Sequence, residues 1–237
     1  MNSNKRTARI AGLIYLIVIL MGIFNLMYVP SKLIVWNNAA ATFKNITESA
    51  SLFRLGICSG LVCYIAFLLL PLVLYKLFKP VNKVYAMLMM VLALVSVPVA
   101  LINFGNEFSV LTLISKADYL KAFEIDKLQA QVLLNLNYYN NGNQIISIFS
   151  GLWLFPFGYL IFKSGLLPKI FGILLMIGCF GYLTDFFAGL LFTGYDKMEI
   201  SNYVILPAGL GEIGTCLWLL IMGANDYKQT LNTTNEK

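Results

Sequence analysis

The stretch Leu55–Tyr75 reads LGICSGLVCYIAFLLLPLVLY, and the fold class turns on it. It contains no Asp, Glu, Lys, Arg or His. A helix needs about 20 apolar residues to cross the hydrocarbon core of a bilayer, and this run is long enough. Its apolar residues follow one another without alternation. A barrel strand would alternate lipid-facing and lumen-facing positions, so a β-barrel is excluded. A helix apolar on every side does not belong on the surface of a soluble domain.

Comparable windows recur on both sides of this one. They predict spans at about 10–29, 54–75, 84–106, 144–162, 170–192 and 203–223. The last two each carry one acid, Asp185 and Glu212. The first follows Lys5, Arg6 and Arg9, but its apolar region is too long for a cleaved signal peptide, so a retained span is expected. The expected fold class is all-α: a polytopic membrane protein with a bundle of six transmembrane helices in one domain, 1–237. The tail 226–237 is expected to be cytoplasmic and disordered.

Composition agrees. Of 237 residues, 59% are hydrophobic and 12% charged, against about a quarter charged in soluble domains. That much apolar surface cannot be hidden within a soluble fold of this size. The net charge of +6 fits the basic cytoplasmic loops of a multispan protein. The lipid bilayer is therefore the expected partner, and nucleic acid is not. There is no His, which removes the commonest general base and metal ligand. The four cysteines, Cys58, Cys63, Cys179 and Cys216, lie in apolar runs without metal-ligand spacing. No cofactor and no metal site are expected, and no catalytic residue stands out. The reading leans away from an enzyme.

Lys and Arg near span ends set orientation. With a cytoplasmic N-terminus, ten cations fall inside: Lys5, Arg6, Arg9, Lys76, Lys79, Lys83, Lys163, Lys169, Lys228 and Lys237. Seven fall outside, and seven acids offset them. Both termini are expected in the cytoplasm and the protein in the inner (plasma) membrane. Between spans three and four, Asp126 and Gln129 resemble a capping box, and Leu128, Val132 and Leu136 recur at helical spacing. A short amphipathic helix at 125–139 is expected on the outer interface, with Asn140-Asn141-Gly142-Asn143 breaking it before span four.

Ionisable groups inside a membrane cost about 2.5–3.5 kcal/mol each on insertion scales, so they mark function or a buried partner. Asp185 shares a helical face with Gly178, Gly181 and Gly189, and Glu212 shares one with Ala208, Gly209 and Thr215. Small residues permit close helix approach, so both acids are expected to face protein. Counted from the outer ends of their spans, they fall in one layer of the outer half. Arg54 could reach that layer from span two, Asn103 and Glu107 from span three, and Asn25 from span one. The expected constellation is Arg54, Asp185 and Glu212, supported by Asn103, Glu107 and Asn25. A guanidinium can bridge two carboxylates and fix the packing. Alternatively, the cluster binds a small solute or cation, or relays protons, as in a transporter or binding protein. A membrane-embedded enzyme with two carboxylates ranks third. The ligand is not identified by these residues, and small-residue faces leave homo-oligomerisation open.

The chain also resembles a bacterial membrane family catalogued as domain of unknown function 4386. The likeness is carried by Ala8-Arg9-Ile10-Ala11-Gly12, Ser31-Lys32-Leu33-Ile34-Val35, Ala39-Ala40-Ala41-Thr42 and Leu52-Phe53-Arg54-Leu55-Gly56. It continues through Lys79-Pro80-Val81-Asn82, Gly158–Gly165, Gly181-Tyr182-Leu183-Thr184-Asp185, Gly211-Glu212 and Leu217-Trp218-Leu219. The resemblance implies a six-span bundle and an Arg, an Asp and a Glu like Arg54, Asp185 and Glu212. It implies no activity.

Overall fold

A computed structural model describes residues 3–195 and 198–225. The expected tail, 226–237, and the charges Asp196 and Lys197 lie outside the described residues. The order of elements is α1 Ser3–Ile23, a π turn Phe24–Tyr28, α2 Val29–Leu33, α3 Ala39–Glu48, α4 Ala50–Phe78 and α5 Lys83–Leu113. A 3-10 turn at Asp118–Ala122 leads to α6 Ile125–Leu152, α7 Leu154–Ser164, α8 Lys169–Leu191, α9 Ser201–Val204 and α10 Leu206–Ile221. No strand occurs among the described residues.

The helix ends follow local chemistry. Asn38 Oδ1 accepts from the Ala41 N–H, and Asn82 Oδ1 accepts from Val84 and Tyr85, capping α3 and α5. Gly165 takes the left-handed conformation, φ 66°, that stops α7. Pro71 and Pro98 lie inside α4 and α5 without ending them, as transmembrane helices tolerate.

Five helical stretches are long and apolar enough to cross a membrane: Asn4–Leu33, Ala50–Phe78, Lys83–Leu113, Ile125–Ser164 and Lys169–Leu191. Their outward faces bear exposed Leu13, Leu20, Ile65, Ile102 and Leu190, a surface suited to lipid. The architecture is a helical membrane bundle. The sixth apolar helix, α10, has 16 residues and packs against α1 and α8.

Helix contacts define two ends. Arg9 donates to the Ile221 carbonyl at the C-terminus of α10, and the Asn225 N–H donates to Leu166 in the α7–α8 turn. Tyr85 stacks on Tyr159 with ring centres 4.2 Å apart, bringing the α4–α5 turn to the same level. Lys5, Arg6, Arg9, Lys76, Lys79, Lys83, Lys163 and Lys169 therefore gather at one end, here called the near end. Trp153, Phe157, Leu70, Leu74 and Tyr15 form the larger core. A second core of Val29, Ile46, Phe53, Phe104, Val132 and Leu136 sits at the far end.

One expected element is corrected here. Residues 125–139 do not form a separate interfacial helix, and the Asn140–Asn143 run does not break the chain: α6 is continuous from Ile125 to Leu152. Its Val132–Leu136 stripe is buried against protein, with α3 and α5 packed on α6. The polar run survives as helix because α5 meets it with Asn103. The interruption falls instead at Trp153, between α6 and α7, and Trp153 itself keeps a helical backbone.

Candidate functional site

The polar groups assemble into three separate places. In the bundle interior, Tyr15 on α1 donates its hydroxyl to Glu212 Oε1 on α10 at 3.0 Å. The approach of α1 to α10 depends on Gly12, where a methyl group would strike the Leu219–Leu220 backbone. The Cys216 thiol donates to the Gly12 carbonyl at 3.6 Å in the same contact. From α8, Tyr182 is within electrostatic reach of Glu212.

A second cluster links four helices toward the far end. The π turn widens α1 at Asn25, which is 3% exposed; such turns often occur where a helix serves a site. Asn25 Nδ2 donates to the Gly56 carbonyl of α4 at 3.0 Å, and its Oδ1 accepts from the Tyr139 hydroxyl of α6 at 3.0 Å. On α5, Asn103 Nδ2 donates to the Tyr139 carbonyl at 2.9 Å and to Asn143 Oδ1 at 3.1 Å. Asn106 Nδ2 donates to Asn103 Oδ1 at 3.0 Å. Gly142 is required here, since a Cβ would collide with the Asn103 amide. Glu107, 6% exposed, faces Tyr139, and its Oε2 is buried with no hydrogen-bond partner.

The third place is a cavity of about 530 Å³ at the far end, between α6, α8 and the chain that follows α8. Asn140, Gln144 and Ser147 line one wall, and Asp185, Phe186 and Gly189 the other. Phe192, Thr193, Gly194, Tyr195, Ser201 and Ile205 complete it. Asp185 is half-buried and has no ion pair among the described residues. Tyr195 is buried beside Asp185. Burial, then the Asp185 charge and a hydrogen bond to that carboxylate, raise its pKa above the ordinary phenol value. The cavity thus combines a carboxylate, aromatic faces and amide and hydroxyl groups.

The arginine–acid network expected from the sequence is not formed. Arg54 is exposed and makes no ion pair among the described residues. The reason is topological: α4 packs on α1 and α5, whereas Asp185 and Glu212 belong to the α8–α10 pair. Nor do the two acids share a layer. Gly178 lies against Ala208 and Gly211 against Leu175, a register that separates Asp185 from Glu212 by about 16 Å of helix rise. Counting from expected span ends misjudged the depth because α10 begins at Leu206, below the α9 turn. Glu212 lies toward the near half, level with Tyr15. Of the six candidates, Asn25, Asn103 and Glu107 come together; Asp185, Glu212 and Arg54 stand apart.

Tyr15, Tyr139, Asn143 and Tyr195 are the polar groups of these three places that sequence reasoning missed. Tyrosine is common at membrane interfaces, so nothing in its spacing distinguishes an interior hydrogen-bond donor. Asn143 carried a signal, as an amide next to a glycine within reach of an apolar run, but it was assigned to a helix break. No cluster of three metal-ligating side chains occurs among the described residues.

Fold and sites together define a polytopic helical membrane protein with interhelical polar contacts and a polar cavity among its described residues. The chain belongs to the family described as a domain of unknown function (DUF4386), whose pattern matches residues 10–223. It is similar to an uncharacterized protein of Archaeoglobus fulgidus, with 33% identity over 150 residues, covering 63% of this chain and 72% of that one. No solved structure matches.

Proposed function

We propose that this chain is a non-enzymatic, six-span membrane protein that binds a small organic cation in the far-end cavity. The observation that carries the reading is Asp185, a carboxylate without a cationic partner among the described residues, on the wall of a 530 Å³ cavity. Small-molecule sites fall at about 300–1,000 Å³. An ammonium would satisfy Asp185, and Phe186, Phe192 and Tyr195 offer aromatic faces for cation–π contact. The Tyr195 hydroxyl and the Asn140 and Gln144 amides supply orientation. In this proposal α10 is the sixth span and the near end faces the cytoplasm. The eight cations gathered there, with no acid beside them at that end among the described residues, support that orientation.

Glu212 has a different role in this reading. Its Oε1 is engaged by Tyr15 across a close α1–α10 contact, which favours packing over ligand binding. Asn25, Asn103 and Tyr139 likewise satisfy one another.

The test is a ligand-dependent stability shift in detergent. Choline at a concentration 100 times its Kd would stabilise the protein by about 2.7 kcal/mol. Its neutral isostere, 3,3-dimethyl-1-butanol, serves as control. The reading expects a shift with choline alone, lost in Asp185→Asn and retained in Glu212→Gln. Equal shifts with both compounds, or a shift unchanged in Asp185→Asn, would refute it.

A further inference from the structure

A second cavity, unconnected with the first, lies at the far end between α3 and the chain from α5 to α6. It has a volume of about 290 Å³. Its walls are apolar, from Phe43, Leu113, Leu120, Phe123, Ile125 and Leu128, and Lys116 and Lys121 stand exposed at its mouth.

Its depth sets it apart from ordinary lipid-facing surface. Helix α5 starts at Lys83 at the near end and has 31 residues, a rise of about 46 Å. The hydrocarbon core is about 30 Å thick. With Lys83 placed at the edge of the lipid tails and α5 upright, Leu113 would lie roughly 15 Å beyond them. Apolar walls at that level face headgroups and water, where exposure costs about 25 cal/mol per Å². On that placement bilayer hydrocarbon does not cover this groove.

The groove's shape and charge identify what would. At about 290 Å³ the cavity falls at the small end of the range for small-molecule sites, about 300–1,000 Å³, and is too small to enclose a peptide helix about 10–12 Å across. Its apolar lining suits an alkyl chain. The two lysines at the mouth call for an anion at the end of that chain. Lys116 has no ion pair among the described residues. Lys121 pairs with Asp118 at 2.7 Å, but both side chains are exposed, and such pairs contribute little. Lys116 also holds a left-handed backbone, φ 60°, the sole non-glycine to do so among the described residues. That conformation is uncommon for lysine and costs energy.

We propose that this groove binds a free fatty acid, its alkyl chain against Phe43, Leu120 and Phe123 and its carboxylate between Lys116 and Lys121.

The experiment uses the full chain in phosphatidylcholine nanodiscs with a diazirine-bearing palmitic acid, photolysed and mapped by peptide mass spectrometry. Crosslinks should concentrate on residues 113–128 and the α3 peptide containing Phe43. Labelling there should fall roughly tenfold, the equivalent of about 1.4 kcal/mol, with the methyl ester of the probe. The double variant Lys116→Glu/Lys121→Glu should show the same loss while its melting curve stays unchanged. Leu120→Trp, which fills the groove, should abolish labelling at these peptides and leave lipid-facing labelling on α8 intact. If the double variant or Leu120→Trp misfolds, the acid-versus-ester comparison on the native chain decides. Even labelling across all lipid-facing peptides, or equal labelling by acid and ester, overturns the proposal. So does displacement of the probe by excess phosphatidylglycerol, which would assign the lysines to a phospholipid headgroup.

Discussion

Replacing Asn103 with Ala removes the amide that joins α5 to α6. Three hydrogen bonds are lost: donation to the Tyr139 carbonyl, donation to Asn143 Oδ1 and acceptance from Asn106 Nδ2. Interhelical hydrogen bonds in membrane proteins average about 0.6 kcal/mol, and protein hydrogen bonds in general about 1. Three such bonds predict a loss of about 2–3 kcal/mol. The void beside Gly142, which packs directly on this amide, adds to that. SDS titration in mixed micelles would measure it, followed by the fluorescence of Trp153, which is 1% exposed in the larger core, in a chain whose Trp36 and Trp218 are replaced by Phe. Pairing this variant with Asn143→Ala in a double-mutant cycle isolates one bond, with an expected coupling of about 0.6 kcal/mol and no more than ~1.7. A single-variant loss below about 0.5 kcal/mol, the range of ordinary surface changes, would refute the claim that this amide holds α6 continuous.

Tyr15→Phe should destabilise the bundle by about 0.5–2 kcal/mol, and Glu212→Gln should show non-additive coupling with it in the same SDS titration. Gly12→Leu should abolish folded protein on size-exclusion chromatography, because the new side chain meets the α10 backbone and not a flexible side chain. Arg54→Gln should change stability by no more than about 0.5 kcal/mol, since Arg54 is exposed and makes no ion pair among the described residues; a loss of several kcal/mol would reinstate an arginine–acid network.

The bundle was legible because lipid imposes a simple rule. A charge-free run such as Leu55–Tyr75 has one stable outcome in a bilayer, a helix whose backbone groups pair internally. Small residues reported the contact faces only in part: Gly178 lies against Ala208 and Gly181 against the Val204 backbone, but Gly209 meets nothing within 4 Å. Which helix each one meets was not legible. Arg54, Asp185 and Glu212 were grouped because each could reach a common depth, but depth does not determine neighbours around the bundle. Once α4 packs on α1 and α5, its arginine is on the wrong side.

The other misreadings share a cause. Asn140–Asn143 looks like a helix break when read locally, since asparagine and glycine favour turns. An amide on another helix, Asn103, supplies the partner that keeps the run helical, and that pairing spans 40 residues of sequence. Glu212 likewise finds a partner far off in sequence, a tyrosine 197 residues away. Hydrophobic length is a property of one segment, whereas polar satisfaction is a property of pairs.

Thiol accessibility tests the cavity most directly. Ser147 and Gln144 line it beside Asp185, and each can be changed to Cys in a chain whose four native cysteines are replaced. Two membrane-impermeant methanethiosulfonates of opposite charge then compete as probes. A water-filled, cation-selective cavity predicts rapid modification from one side of the membrane, faster with the cationic reagent, and a rate difference that disappears in Asp185→Asn. Failure of both reagents, or equal rates that ignore Asp185, would contradict a solute site at this place.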